Sequence, residues 1–178
     1  MTELVATSND VDGCRKLARE IAGELYIDER ESWQHLPFRA LLISSGDPER
    51  LREIADRGLY VAQRRIVKAG LPVVVGVFPL LHHPDKSHEE ADAHWRDVHA
   101  PLALYHHQAM VHYSQLNVLE SLAGEWIDGI ALCGFATLDD FRQRFFSHAD
   151  SERIINADVA NFADTKRSPR RLVATRIC

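Results

Sequence analysis

The chain has 178 residues, 46% of them hydrophobic, enough for one packed domain or one domain with an extension. Its 21 basic and 26 acidic residues give a formal charge of −5, which argues against a nucleic-acid binder or a protein that docks on anionic membrane. Cys14, Cys133 and Cys178 are odd in number and widely spaced. With no basic-flanked apolar leader in MTELVATSNDVDGCRK and no run of ~20 apolar residues, the expectation is a soluble cytoplasmic protein without disulfides or membrane spans.

Val11, Cys14, Leu17, Ala18, Ile21, Ala22 and Leu25 recur at helical spacing and predict a helix from Val11 to Leu25. The polar stretch Asp28 to His35 breaks it, and Phe38 to Ser44 (FRALLIS) reads as a strand. Asp47 as N-cap and Pro48 at the first helical position start a second helix, which the pattern carries to about Lys68 before Gly70 and Pro72 end it. Residues 1–70 are therefore expected to be an N-terminal α/β extension of helix, strand and helix. They are either half of a decayed repeat or a cover for a sheet or pocket.

From Pro72 the elements become regular. Val73 to Leu81 (VVVGVFPLL) is a nearly continuous apolar, β-branched run, as expected of a strand buried on both faces, with Pro79 suited to an edge or a bulge. Ser87 and Glu90 form a capping box that opens a helix. Met110 to Leu119 and Gly129 to Thr137 predict two strands, Leu138 to Ala163 carries helix around a polar break at His148 to Glu152, and Arg171 to Ile177 gives a last strand. The basic run Lys166 to Arg171 (KRSPRR) reads as a solvated turn.

Strand, helix, strand, strand, helix, strand is the ferredoxin-like βαββαβ order, which places residues 71–178 in one α+β domain. Its helices cover one sheet face. The other needs a second sheet, for which an identical subunit is the simplest source.

HWRDVHAPLALYHH, residues 94–107, sets four histidines and a proline in an amphipathic helix. His94 and His99 are five apart, about 140° around an α-helix at roughly 100° per residue, so they face different ways and no metal site is expected. His82, His83, His88, His106 and His107 read as solvated or capping. Pro101 removes a backbone donor and interrupts the helix beside His99, where spacing alone gives an interior histidine bonded to backbone. Cys133 reads as a small buried hydrophobe, Trp95 as helix–sheet packing, and Asp158, Asn161 and Asp164 as caps.

The segments HPDKSHEEADAHWRDVHAPLAL, VHYSQLNV, DGIALCGF and DVANFAD resemble the EthD family of the dimeric α+β barrel superfamily, over roughly Pro72 to Arg176; residues 1–70 find no counterpart. The resemblance implies a homodimer with a pocket between sheet and helices. It implies cofactor-free decarboxylation, dehydration, cyclisation or isomerisation of an aromatic or polyketide-like compound, or carriage of such a compound for a neighbouring enzyme. Haem-dependent oxygenation is another chemistry of the superfamily, marked by a visible absorbance band.

The resemblance makes His99 the general acid or base and Tyr113 its catalytic partner. Gln115, two residues on, shares the face of Tyr113, and Asn117 follows on it. A neutral imidazole, a phenol and an amide suffice to move a proton while holding a carbonyl or hydroxyl. His94, Gln115, Asn117, Leu132 and Gly134 are the expected substrate contacts. Leu132 and Gly134 stand where relatives often carry an acid and a tryptophan, so that patch is less polar and less bulky.

Overall fold

The computed structural model describes residues 2–178. The first part of the chain runs β1 (Thr2–Ser8), α1 (Val11–Ile21), β2 (Glu24–Ile27), β3 (Ala40–Ser44), α2 (Pro48–Arg52) and β4 (Gly58–Lys68). Asp10 caps α1 by accepting from Gly13 N, and the helix closes at Ala22 in the left-handed region (φ 52°), three residues short of the predicted end. Leu25 then belongs to β2.

The larger departure concerns 48–68, predicted as one helix. Asp47 caps α2 as expected by accepting from Glu49 N, but α2 stops at Arg52 and β4 follows. In Leu59, Tyr60 and Ala62 both sides of the strand are buried, Leu59 under helices and Tyr60 and Ala62 inside the barrel, which removes the alternation that marks a half-exposed strand. The pairing that fixes it comes from β1 on one side and β6 on the other.

The second part runs β5 (Val74–Leu80), α3 (His88–His94), a π-helical turn (Trp95–His99), α4 (Ala100–His106), β6 (Met110–Gly124), β7 (Gly129–Phe135), α5 (Leu138–Gln143), α6 (Ser151–Phe162) and β8 (Leu172–Arg176). The capping box is present: Ser87 Oγ accepts from Glu90 N, and the Glu90 carboxylate accepts from Ser87 N. β8 pairs with β5 only along Val74–Val77, so Pro79 lies past the end of that ladder, where its missing donor costs no bond.

The eight strands form one closed antiparallel barrel in the order β1-β3-β2-β8-β5-β7-β6-β4. The face that the sequence assigned to an identical subunit is covered by the chain's own strands β1 to β4. The two runs of four strands meet at a long seam, β4 on β6, and a short one, where Tyr26 pairs with Arg176 and Ile27 with Thr175. The barrel interior is packed with side chains including Leu41, Tyr60, Val75, Leu116, Ile130 and Leu132. On the outside, α1 and α2 bury Cys14, Leu17 and Leu51 against the first four strands, while the remaining helices cover the others.

Candidate functional site

Between the outer face of β5, β6 and β7 and the helices α3 to α6 lies a cavity of about 410 Å³, in the range that takes a small organic ligand. Phe78, Phe145, Phe146 and Phe162 make it aromatic, and Trp95, His99, His107, Tyr113 and Cys133 also line it. Its exposed edge carries Asn156, Thr165, Arg170 and Arg171.

His99 is buried, and its Nδ1 lies 2.7 Å from Asp158 Oδ2 on α6; His94 Nε2 lies 2.8 Å from the other oxygen, Oδ1. The two histidines therefore meet on one carboxylate, against the α-helical expectation that they diverge. The cause is the π-helical turn between them: its i to i+5 bonding, seen in Ala100 N donating to Trp95 O, brings residues five apart onto one side. Phe162 supports both rings, stacked on His94 at 5.4 Å and tilted against His99 at 5.1 Å.

Burial works against ionisation of Asp158, but the hydrogen bonds from His99 and then His94 outweigh it and hold the carboxyl below the ordinary carboxylate range. An ionised carboxylate only accepts, so His99 must present Nδ1–H to it, which in the neutral ring leaves Nε2 as the acceptor.

Tyr113 is fully buried. Its phenol oxygen accepts from Trp95 Nε1 at 3.1 Å and from Gln115 Nε2 at 3.0 Å. The Gln115 amide is oriented without ambiguity: Oε1 accepts from Arg65 Nε at 3.0 Å, and Nε2 also donates to Trp95 O at 2.9 Å. With two donors on its oxygen, Tyr113 has its own O–H left to donate. Burial foremost, then the neighbouring Cys133 thiol, pushes its pKa up, so at neutral pH it is a proton-bearing donor. Burial likewise pushes the Cys133 thiol up to about 12, far from a nucleophile.

Of the residues expected from the sequence, His99 and Tyr113 share the cavity. Gln115 stands behind Tyr113 and orients it. Asn117 lies in a separate small gap with Asp128 and Trp95, and His94 faces an open recess with His83, Asp85 and Lys86, linked to the cavity through Asp158 and Phe162. Leu132 packs inside the barrel, and a Cβ on Gly134 would meet Pro72 and His112 there. The alternate residues Ala131 and Cys133 line the cavity instead.

Three residues that position the site escaped the sequence reading. Asp158, expected as a cap, is separated from His99 by 59 residues. Trp95 was expected only to pack. Arg65, from β4, fixes Gln115, pairs with Asp92 and lies 5.6 Å over the Trp95 ring, so the first part of the chain contributes a side chain behind the site.

The EthD domain family model matches residues 83–166. A comparison with curated proteins finds no match. Among solved structures, an anthrone oxidase-like protein superposes with a TM-score of 0.58 at 10% identity, over 99% of this chain and 90% of its own. A mutant chlorite dismutase from Candidatus Nitrospira defluvii does so with a TM-score of 0.55 at 13% identity, over 99% and 91%. At these identities the likeness is one of fold: a mixed α/β architecture with an antiparallel eight-stranded barrel, similar to the dimeric α+β barrel proteins. It spans the whole chain, including residues 1–70, for which the sequence offered no counterpart. Residues 83–166, which carry His94, His99, Tyr113 and Asp158, are thus the part of the chain that is similar to the EthD domain.

Proposed function

We propose that this chain is a small cofactor-independent enzyme that moves a proton on an aromatic or polyketide-like molecule, in a dehydration, decarboxylation, cyclisation or isomerisation. The observation that carries the reading is the pairing, in one aromatic cavity, of an imidazole whose bare Nε2 is set by Asp158 with a phenol left free to donate.

His99 Nε2 removes a proton from carbon next to a carbonyl, and the resulting imidazolium is stabilised by the Asp158 carboxylate. Tyr113 O–H donates to the carbonyl oxygen as it gains enolate charge, and the Trp95 and Gln115 donors keep the phenol oriented toward it. The same imidazolium returns its proton at a different carbon for isomerisation or to a departing hydroxyl for dehydration. The anthrone oxidase-like neighbour supports an aromatic ketone as the kind of molecule to try first, since carbon-bound hydrogens next to or conjugated with such a carbonyl are acidic.

The test is exchange of carbon-bound hydrogen for deuterium in heavy water, followed by mass spectrometry over a panel of aromatic and polyketide-like ketones. The wild type should label its substrate and His99→Ala should not, with both proteins equally folded by circular dichroism. Equal labelling by the variant would end the reading. A visible absorbance band in the purified protein would replace it with haem-dependent oxygenation.

A second reading, carriage of a hydrophobic metabolite for a neighbouring enzyme, is supported by the aromatic lining. Recovery of bound compound unchanged after long incubation selects it. Homodimer formation is a separate part of the proposal. Closure of the barrel within one chain removes the need for a partner to cover the sheet, so a dimer would use an outer surface, and light scattering reads the mass.

A further inference from the structure

Two features of the cavity lie outside the proton-transfer machinery. The first is His107, at the end of α4. Its Nδ1 lies 2.6 Å from the Phe145 carbonyl oxygen, which can only accept, so Nδ1 carries a proton. The ring is buried and wedged against Phe145 at 4.7 Å and Phe146 at 5.3 Å. Burial, the largest cause, lowers its pKa to about 4. At neutral pH His107 is therefore an uncharged ring whose Nε2 can only accept a hydrogen bond.

The second is the basic run expected to be a solvated turn. It is built into the molecule. Asp164 Oδ1 accepts from Lys166 N and Arg167 N, Asp164 N donates to Leu81 O at 2.8 Å, and Leu81 N donates to Ser168 Oγ at 2.9 Å. These bonds pin the turn to the end of β5 and set Arg170 and Arg171 at the exposed edge of the cavity. The Arg171 guanidinium lies 5.8 Å over the Phe78 ring, and neither arginine has an ion-pair partner among the described residues.

An aromatic chamber with a neutral acceptor inside and unpaired guanidinium groups at its edge selects a ligand of matching chemistry. We propose that the cavity takes a hydroxylated aromatic acid, with a phenolic hydroxyl donating to His107 Nε2 and the carboxylate held at the edge by Arg170 and Arg171. The inference rests on reading this cavity as the small-molecule site and deepens that reading. It makes the acid group a handle, held apart from His99, so that the reacting carbon belongs to the ring system.

Calorimetric titration of the full chain tests it with three probes: a hydroxynaphthoic acid with hydroxyl and carboxyl on opposite rings, the same acid lacking the hydroxyl, and the methyl ester of the hydroxy acid. The hydroxy acid should bind about tenfold tighter than either of the others. Replacing both arginines (Arg170→Gln with Arg171→Gln) should abolish the preference for acid over ester. His107→Leu should abolish the preference for the hydroxyl; His107→Gln, which can keep a donor to Phe145 O and an acceptor for the ligand, should restore part of it. Equal binding of the three probes to the unmodified protein, or binding of none, overturns the proposal whatever the variants do. Binding with these preferences but without deuterium exchange keeps this inference and removes the catalytic one. Exchange on ketones without any preference for acid or hydroxyl does the reverse.

Discussion

Asp158 decides what His99 can do, because the carboxylate fixes which ring nitrogen carries the proton. In Asp158→Asn the amide can offer either a donor or an acceptor, and the imidazole is free to take the wrong tautomer. The expected loss of turnover is large, about 10³–10⁴-fold by analogy with the same change in the serine protease triad. Nitrogen NMR of the histidine rings checks the cause directly: the wild type should show His99 protonated at Nδ1, and the variant a mixture. An unchanged tautomer would show that the carboxylate does not orient the ring. His99 and Tyr113 were legible in the sequence because the EthD-like motif names them. Asp158 was not, because its partnership joins two helices that only the folded chain brings together. His94 was misplaced for a different reason: α-helical periodicity cannot foresee one wider turn. Leu132 and Gly134 share one face of β7, as alternation requires, but alternation alone does not say whether that face borders the pocket or the sheet's other side, and it is the latter.

At the scale of elements, β7 can lie close under the π-helical turn because Gly129 has no side chain. A Cβ there would fall 2.6 Å from the Trp95 ring and 3.0 Å from Leu116 O, so the indole would have to move. Gly129→Ala is expected to cost about 1–3 kcal/mol by overpacking, read as a lowered melting temperature. It should also lower turnover, because the displaced indole is a donor to Tyr113; an unchanged melting curve would show that the contact is not tight. The elements around this contact were readable from local signals, since Pro72, the Ser87–Glu90 box and Gly129 punctuate them. β4 lacked such a signal. Its first residues are buried on both faces, and its length is fixed by pairing with β1 and β6, which are distant in sequence. Arg65 was missed with it, because the helix expected over 48–68 gave its side chain no register toward Gln115 on β6.

Over the whole molecule, the barrel closes at a short seam that one buried acid braces. Asp28, at 0% exposure, accepts from Val173 N at 2.9 Å across the seam and pairs with Arg30. Burial opposes its ionisation, but the Arg30 and backbone hydrogen bonds hold its pKa below the ordinary value. A carboxyl with a depressed folded pKa stabilises the protein above its unfolded pKa, near 4, and the contribution disappears as pH falls through the folded value. The melting temperature should accordingly drop as pH is lowered from about 5 toward 2, with Glu24, Asp128 and Asp158, all shifted in the same direction, adding to the slope. Asp28→Asn should melt lower at neutral pH, by about 1–3 kcal/mol for the weakened buried bonds, and show a shallower acid slope. An identical slope would place the acid sensitivity elsewhere.

Closure of the barrel within a single polypeptide has one more consequence. In an assembly of two identical subunits, every substitution is made twice and each crevice has a twin. Here the crevice of the first half is filled by Cys14, Leu17 and Leu51, while that of the second half is hollow and lined by His99 and Tyr113. The halves have been free to specialise, one as buttress and one as chamber, and saturation should come at one molecule of ligand for each chain.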